Sequence, residues 1–139
     1  MKDRDVGYWI KTIHDKLKIR ADADLKERHL TLAQSRVLAF LNNRGGQATQ
    51  KEIEDFLDVS HPTVVGIISR MEHNGHLVCW IDEKDRRNKM VQITAQSSSI
   101  ARDMEREIHL SEEKMLDSLS QEDIETLKKT LAVIYNNLQ

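Results

Sequence analysis

The chain has 139 residues, of which 39% are hydrophobic and 32% charged, and its formal net charge is −2. This length fits one domain of about 100–150 residues, and no stretch approaches the ~20 apolar residues that a membrane-spanning helix needs. The N-terminal segment MKDRDVGYWI lacks the apolar core of a secretory signal, and the single cysteine, Cys79, cannot form an internal disulfide. We therefore expect a cytoplasmic protein of one domain.

Charge is distributed unevenly along the chain. Residues 1–45 carry a net charge of +4, residues 46–94 one of −2 and residues 95–139 one of −4. A protein with so little positive charge can bind a polyanion only through a few well-placed cations. The acidic final third should face away from such a partner.

Two helices are predicted at the start of the chain. Apolar residues recur every three or four positions over residues 6–25, which predicts a long amphipathic helix with one apolar face. Thr31 and Gln34 form the S/T-x-x-E/Q capping pattern, in which the hydroxyl and the amide satisfy free backbone N–H groups. This pattern predicts a second helix over residues 32–43, ended by the glycines at 45–46.

The next segment predicts a helix-turn-helix. Thr49 opens a short helix over about residues 50–57 through a second capping pattern. After a turn of about three residues, Ser60 caps another helix, and Pro62 falls in its first turn, where the missing N–H has no cost. That helix runs to about Asn74. Two short helices joined by such a turn are typical of DNA-binding proteins, in which the second helix reads the major groove.

A β-hairpin comes directly after this helix. Apolar and other residues alternate over 77–81 and again over 90–93, which predicts two strands. The loop between them, residues 82–89, has seven charged side chains in eight positions. We expect this loop to project and to flex, stiffened at most by an ion pair between Asp85 and Arg87. A hairpin in this place is the wing of a winged helix.

Two further helices are predicted over about residues 95–117 and 121–138. In the last one, Ser120 is the predicted cap, and apolar residues then step by 3, 4, 3 and 4 positions, the spacing of a helix-packing seam. The chain is too short for a second core, so the natural partner is another copy. We expect a homodimer, with these interface residues: Ile10, Ile13, Leu17, Ile124, Leu127, Leu131, Ile134 and Leu138.

From residue 30 to residue 94 the motifs resemble those of the MarR family of bacterial winged-helix transcription regulators. The matching stretches are LTLAQSRVLAFL, TQKEIEDFLDVSHPTVVGIISRMEHNGHLV and, above all, DEKDRRNKMVQIT. The resemblance implies a mainly α fold class with a small β-hairpin wing, in which residues 1–139 form a single MarR-like subunit. It implies a winged helix-turn-helix DNA-binding region at 30–94 and a helical dimerisation region at 1–29 and 95–139.

The resemblance also implies how DNA would be bound. Two recognition helices would enter successive major grooves of a pseudo-palindromic site, while the wings reach flanking minor grooves. Arg87 would make the minor-groove contact, with Asp85 orienting it and Arg86 near phosphate. A planar guanidinium also suits a narrow, electronegative groove better than an ammonium does. The expected DNA-binding residues are Ser35, Thr49, Ser60, His61, Pro62, Thr63, Arg70, Asp85, Arg86, Arg87 and Lys89.

The sequence departs from the family pattern at two places that bear on this interpretation. Relatives often have Thr-Arg where this chain has Val65-Gly66, which removes a cation from the recognition helix and should change the operator. Ser97 stands where the family usually has glycine, and we expect this difference to matter little. No cysteine lies near the N-terminus, so peroxide sensing of the kind seen in some relatives is not expected.

The expected function is a sequence-specific transcriptional regulator, in particular a repressor released by a small aromatic or lipophilic effector, whose binding site the sequence does not identify. Tyr8 and Trp9 are expected in the dimer core, although they could line an effector cleft. Cys79 is expected to be a buried, unreactive hydrophobe. The alternative function is a winged helix that binds protein and does not read DNA. No enzyme, cofactor or metal site is predicted, because the six histidines are scattered and the chain has no phosphate loop or Gly-x-Ser-x-Gly motif.

Overall fold

The computed structural model describes residues 4–139, in which it forms six helices and three strands. One compact unit ends at Arg102, and a second extends from Asp103 to Gln139. All six predicted helices are present, with ends within two residues of those predicted. The elements are α1 (Val6–Glu27), α2 (Leu32–Asn42), β1 (Gln47–Thr49), α3 (Gln50–Leu57), α4 (His61–His73), β2 (Leu77–Ile81), β3 (Lys89–Ile93), α5 (Ala95–Met115) and α6 (Gln121–Asn137).

The predicted helix starts are confirmed by their capping geometry. Thr31 at the start of α2 and Thr49 at the start of α3 each accept a hydrogen bond from the backbone N–H three residues later, and the side chain at that position bonds back to the cap. Ser120 caps α6 in the same reciprocal way. These contacts are local, so the sequence alone specifies where the helices begin.

The sheet has one strand more than predicted. Its order is β1-β3-β2, with both pairs antiparallel, and Val91 in the central strand lies between Ala48 and Cys79. Strand β1 is not predictable from the sequence, because a three-residue segment has too little alternation to indicate a strand and pairs with residues more than 40 positions later. The alternation predicted for 77–81 is wrong at its end, where Ile81 is exposed.

The core of the first unit joins the helix-turn-helix to the sheet. Helices α2, α3 and α4 contribute an apolar face each, and β3 contributes the centre of the sheet. Residues with no exposed surface include Val37, Leu38, Leu41, Ile53, Val64, Ile68, Met71 and Val91. This shared core fixes α4 and the base of the hairpin relative to each other, so both are presented from one rigid body.

Helices α1 and α6 differ from the helices of this core, because neither contains a buried residue in the described chain. Of the predicted interface residues, Ile124 and Ile134 are half-buried. The rest are exposed: Ile10, Ile13, Leu17, Leu127, Leu131 and Leu138. Tyr8 and Trp9, which contact each other edge to face, are exposed as well. Within residues 4–139 no helix is both long and apolar enough to span a bilayer.

Candidate nucleic-acid interface

The first turn of α4 presents a row of exposed polar groups. Ser60 caps the helix, with its Oγ 3.4 Å from the backbone nitrogen of Thr63 and 2.8 Å from the Thr63 Oγ1. His61, Pro62 and Thr63 are exposed. The predicted cluster of four residues therefore lies together on one turn, at the helix end where a recognition helix contacts base edges.

His61 does not project freely from this turn. Its Nδ1 contacts the carboxylate Oε1 of Glu54, which comes from α3 and has a side chain only 11% exposed. The His61 ring itself remains largely exposed. The contact holds the ring across the turn between the two helices. No sequence pattern indicates this contact, because the two residues are seven positions apart and on different helices.

The guanidinium group of Arg70 lies over Gly66, the residue one helical turn earlier on α4. A Cβ atom built on Gly66 would be 3.4 Å from the Arg70 Nη1 and 3.6 Å from its Nη2. Long side chains on a helix lean toward its N-terminus, and here the missing side chain leaves the guanidinium room to lie against the backbone. Relative to the family pattern, Val65-Gly66 removes one cation from α4. The guanidinium of Arg70 places a positive charge beside Gly66 instead.

The tip of the wing is held by main-chain bonds as well as by charges. The N–H of Asp82 donates to the carbonyl of Asn88 over 3.0 Å, and the N–H of Asn88 donates to the carbonyl of Asp85 over 2.9 Å. Asp82 Oδ1 accepts from the N–H of Lys84 at 3.0 Å. The loop is thus more ordered by hydrogen bonds than its composition predicted.

The predicted ion pair between Asp85 and Arg87 is confirmed, and it is bidentate. Arg87 Nε lies 3.0 Å from Oδ1 of Asp85, and Arg87 Nη2 lies 3.1 Å from Oδ2. The Arg87 side chain and then its backbone N–H lower the pKa of Asp85, and the pair raises the pKa of Arg87. The Arg87 side chain is still 90% exposed. The carboxylate fixes one edge of the guanidinium and leaves the rest available to a ligand.

Arg86 is also exposed at the wing tip, whereas Lys89 is half-buried at the start of β3. Ser35 lies in the first turn of α2, where its hydroxyl donates to the carbonyl of Leu32 over 2.7 Å. Thr49 is half-buried, and its hydroxyl accepts from the N–H of Glu52 over 3.1 Å. Both hydroxyls are therefore already hydrogen-bonded to the backbone in the first turn of a helix. A DNA contact by either residue would have to be compatible with that bond.

Cys79 is half-buried on β2, less enclosed than expected. Burial, followed by the nearby carboxylate of Glu72, raises the pKa of its thiol to about 11. The thiol is therefore protonated near neutral pH and a poor nucleophile. Among residues 4–139 no three histidine, cysteine, aspartate or glutamate side chains form a group able to hold a metal ion.

The helix-turn-helix and most of the wing match a known protein family. Residues 30–87 match the family model described as the MarR family. The HTH-type transcriptional regulator YfiV of Bacillus subtilis (strain 168) is 27% identical over 110 residues, which cover 79% of this chain and 68% of that protein. The HTH-type transcriptional regulator YwoH of the same organism is 34% identical over 83 residues, covering 58% of each chain. These relatives are transcriptional regulators, in agreement with the prediction that the chain is not an enzyme.

Solved structures confirm the predicted fold class. The structure of Streptococcus pneumoniae FabT in complex with DNA matches with a TM-score of 0.83 at 20% identity, over 96% of this chain and 94% of that one. The S. aureus MepR-DNA complex matches with a TM-score of 0.78 at 24% identity, over 96% and 99% of the two chains. At these identities the likeness establishes the winged-helix fold.

Proposed function

We propose that this chain, whose residues 30–87 match the MarR family model, is a member of that family of transcriptional regulators and a sequence-specific DNA-binding protein that acts as a homodimer. The proposed target is a pseudo-palindromic promoter site. The observation that carries the proposal is Arg87, an exposed guanidinium that a carboxylate orients at the tip of a hairpin, directly after a helix-turn-helix. Such a group suits a narrow minor groove.

The proposed contacts divide into two classes. On α4, the first-turn residues Ser60, His61, Pro62 and Thr63 would face base edges in the major groove, and Arg70 would reach phosphate or guanine. On the wing, Arg87 would enter the minor groove, while Arg86 and Lys89 would lie near phosphates and Asp85 would orient Arg87. Ser35 and Thr49, in the first turn of α2 and at the cap of α3, would position the DNA backbone.

Dimerisation would use the exposed apolar residues of α1 and α6. In a DNA-bound dimer the two recognition helices must match half-sites about one helical turn (~34 Å) apart. Binding near a promoter would exclude polymerase, which makes repression the proposed outcome. A small aromatic or lipophilic effector that binds one separation of the recognition helices better than another would release the DNA.

The proposal is tested first by footprinting on the DNA beside the chain's own coding region, followed by affinity measurements on the protected site. Binding through ~6–10 phosphates should weaken by about 10³–10⁵-fold between ~50 and ~200 mM salt. Arg87→Ala should cost about 1–3 kcal/mol of binding free energy if the guanidinium makes a good groove contact.

Two matched variants sharpen this measurement. Arg87→Lys keeps the charge but loses the planar guanidinium, so it should recover only part of the affinity. Lys84→Ala removes another cation from the same tip, at a position not proposed to bind DNA, and should have a smaller effect. If Arg87→Ala binds the protected site as well as the parent does, the wing assignment is wrong.

The alternative, a winged helix that binds protein only, is favoured by the net charge of −2 and by the loss of a cation at Val65-Gly66. It predicts no footprint and no steep salt dependence. The footprint and the salt dependence of binding therefore distinguish the two functions.

A further inference from the structure

The end of α4 is closed by a Schellman motif. Gly75 has a φ of +82°, its N–H donates to the carbonyl of Glu72 over 3.1 Å, and the N–H of His76 donates to the carbonyl of Met71 over 2.9 Å. This pair of bonds is the usual way to satisfy the last carbonyls of a helix. It also fixes the direction in which His76 leaves the recognition helix.

A single hydroxyl joins this helix end to the start of α5. Thr94 Oγ1 donates to the carbonyl of Gly75 over 3.0 Å and accepts from the N–H of Ser97 at 3.3 Å. The backbone N–H of Thr94 donates to the carbonyl of His76 over 3.0 Å. Thr94 therefore caps α5 while it holds the last turn of α4.

His76 and Ser97 form a second link at the same place. The His76 Nδ1 and the Ser97 Oγ are 2.7 Å apart, and Ser97 is only 1% exposed. Burial lowers the pKa of His76, so its imidazole is neutral near pH 7. Leaving a buried hydroxyl without its partner would carry a desolvation cost. The serine at a position expected to matter little thus supplies a specific buried contact that glycine could not make.

A third link fixes the same turn of α5 to α2. The Ser98 Oγ lies 2.8 Å from the Asn42 Oδ1, and the Arg102 Nη1 donates to the Ser98 Oγ over 2.9 Å. The first turns of α5 are therefore bonded to the ends of both α4 and α2. Helix α5 continues from this turn to Met115.

We propose that His76 and Ser97 are positioning residues for DNA binding, whose hydrogen bond sets the angle between the recognition helix α4 and the first turn of α5. In a dimer, that angle determines the separation of the two recognition helices. A tilt of a few degrees, acting over the ~34 Å between half-sites, moves a helix by ~2–3 Å. The inference rests on the proposed function, since it presumes a DNA-bound dimer.

The test uses the footprinted operator in two forms. One set of duplexes carries both half-sites with their spacing changed in steps of one base pair, and one duplex carries a single half-site. Affinities are measured for the full-length parent, Ser97→Ala, His76→Asn and His76→Gln. The two histidine variants are a matched pair, because the asparagine amide reaches the place of Nδ1 whereas the glutamine amide reaches that of Nε2. Thermal unfolding of each variant is followed by circular dichroism.

The parent should show a sharp optimum near one helical turn. Ser97→Ala and His76→Gln should bind the optimal duplex about tenfold more weakly, which corresponds to the loss of one hydrogen bond, and should discriminate less between neighbouring spacings. Their affinity for the single half-site should stay within about twofold of the parent's. His76→Asn should retain the parent's spacing profile. If the glutamine variant does not fold, Ser97→Ala carries the comparison.

Three results would overturn the inference. Ser97→Ala could keep the parent's spacing profile, it could lose affinity equally for single and paired half-sites, or His76→Asn could behave like His76→Gln. In each case the parent still binds its operator with a sharp optimum, so the proposed function survives. A parent that binds no DNA would instead overturn the proposed function, and the positioning role with it.

Discussion

The winged helix-turn-helix and the terminal helices use their apolar residues in opposite ways. In the winged helix, α2, α3, α4 and β3 enclose side chains with no exposed surface. In α1 and α6 the apolar residues are just as regular in sequence, yet none is buried. The same periodicity thus marks a core in one region and an uncovered face in the other.

An apolar stripe on a helix therefore indicates an interface but does not identify the element that covers it. The winged helix finds its partner elements within the chain, because α3, α4 and β3 all contact α2. The exposed stripe of α6 has a regular seam spacing, which suits a second helix. A homodimer is our proposal for what covers it.

The largest effect should come from a cavity in the enclosed region. Leu38→Ala removes a fully buried side chain from α2 and should lower the free energy of unfolding by about 2–5 kcal/mol. Leu32→Ala, the same change on the same helix at a side chain that is 65% exposed, should have little effect. Urea titrations of both variants check the comparison. Equal losses would show that burial in the winged helix does not distinguish the two leucines.

A smaller effect is expected from a charge on the uncovered stripe. Leu131→Glu should weaken dimerisation by at least about 2 kcal/mol, or roughly thirtyfold, because it removes apolar contact and places a carboxylate in the interface. Ala132→Glu changes the charge equally at a position of α6 outside the stripe and should leave the dimer intact. Sedimentation equilibrium measures both. A Leu131→Glu variant as dimeric as the parent would contradict the assignment of this face.

The smallest expected effect is the pH dependence of the stability of the winged helix. Burial lowers the pKa of His76 below its ordinary value of 6.5, so between the two values the unfolded chain binds more protons than the folded one. The stability from neutral His76 is therefore complete above about pH 6.5 and is lost as the pH falls through the lowered pKa.

Thermal unfolding at about pH 7.5 and about pH 5.5 checks this sign. The melting temperature of the parent should fall more on acidification than that of His76→Asn, which has no group titrating there. If both proteins lose the same stability, the imidazole is not the group responsible.

Features specified by neighbouring residues were predictable from the sequence. The caps of α2, α3 and α6 and the ion pair Asp85–Arg87 depend on residues two or three positions apart, so composition and spacing were enough to predict them. The position of Ser60 before Pro62 likewise identified the start of α4.

Features formed between distant segments were not predictable. Strand β1 pairs with β3 across more than 40 residues, and the contact between His61 and Glu54 crosses the turn between two helices. The hydrogen bond of His76 with Ser97 spans 21 positions. No local pattern marks any of them, because each depends on where two separately formed elements pack.

The helices, the hairpin and the charged wing tip follow from periodicity, capping and turn chemistry over a few residues, so they can be read from the amino-acid order. Which apolar stripes are enclosed, how Arg70 lies over Gly66 and how α4 is bonded to α5 depend on the packing of the folded chain. Those outcomes depend on contacts between elements far apart in the chain, where burial fixes the partner of each polar group.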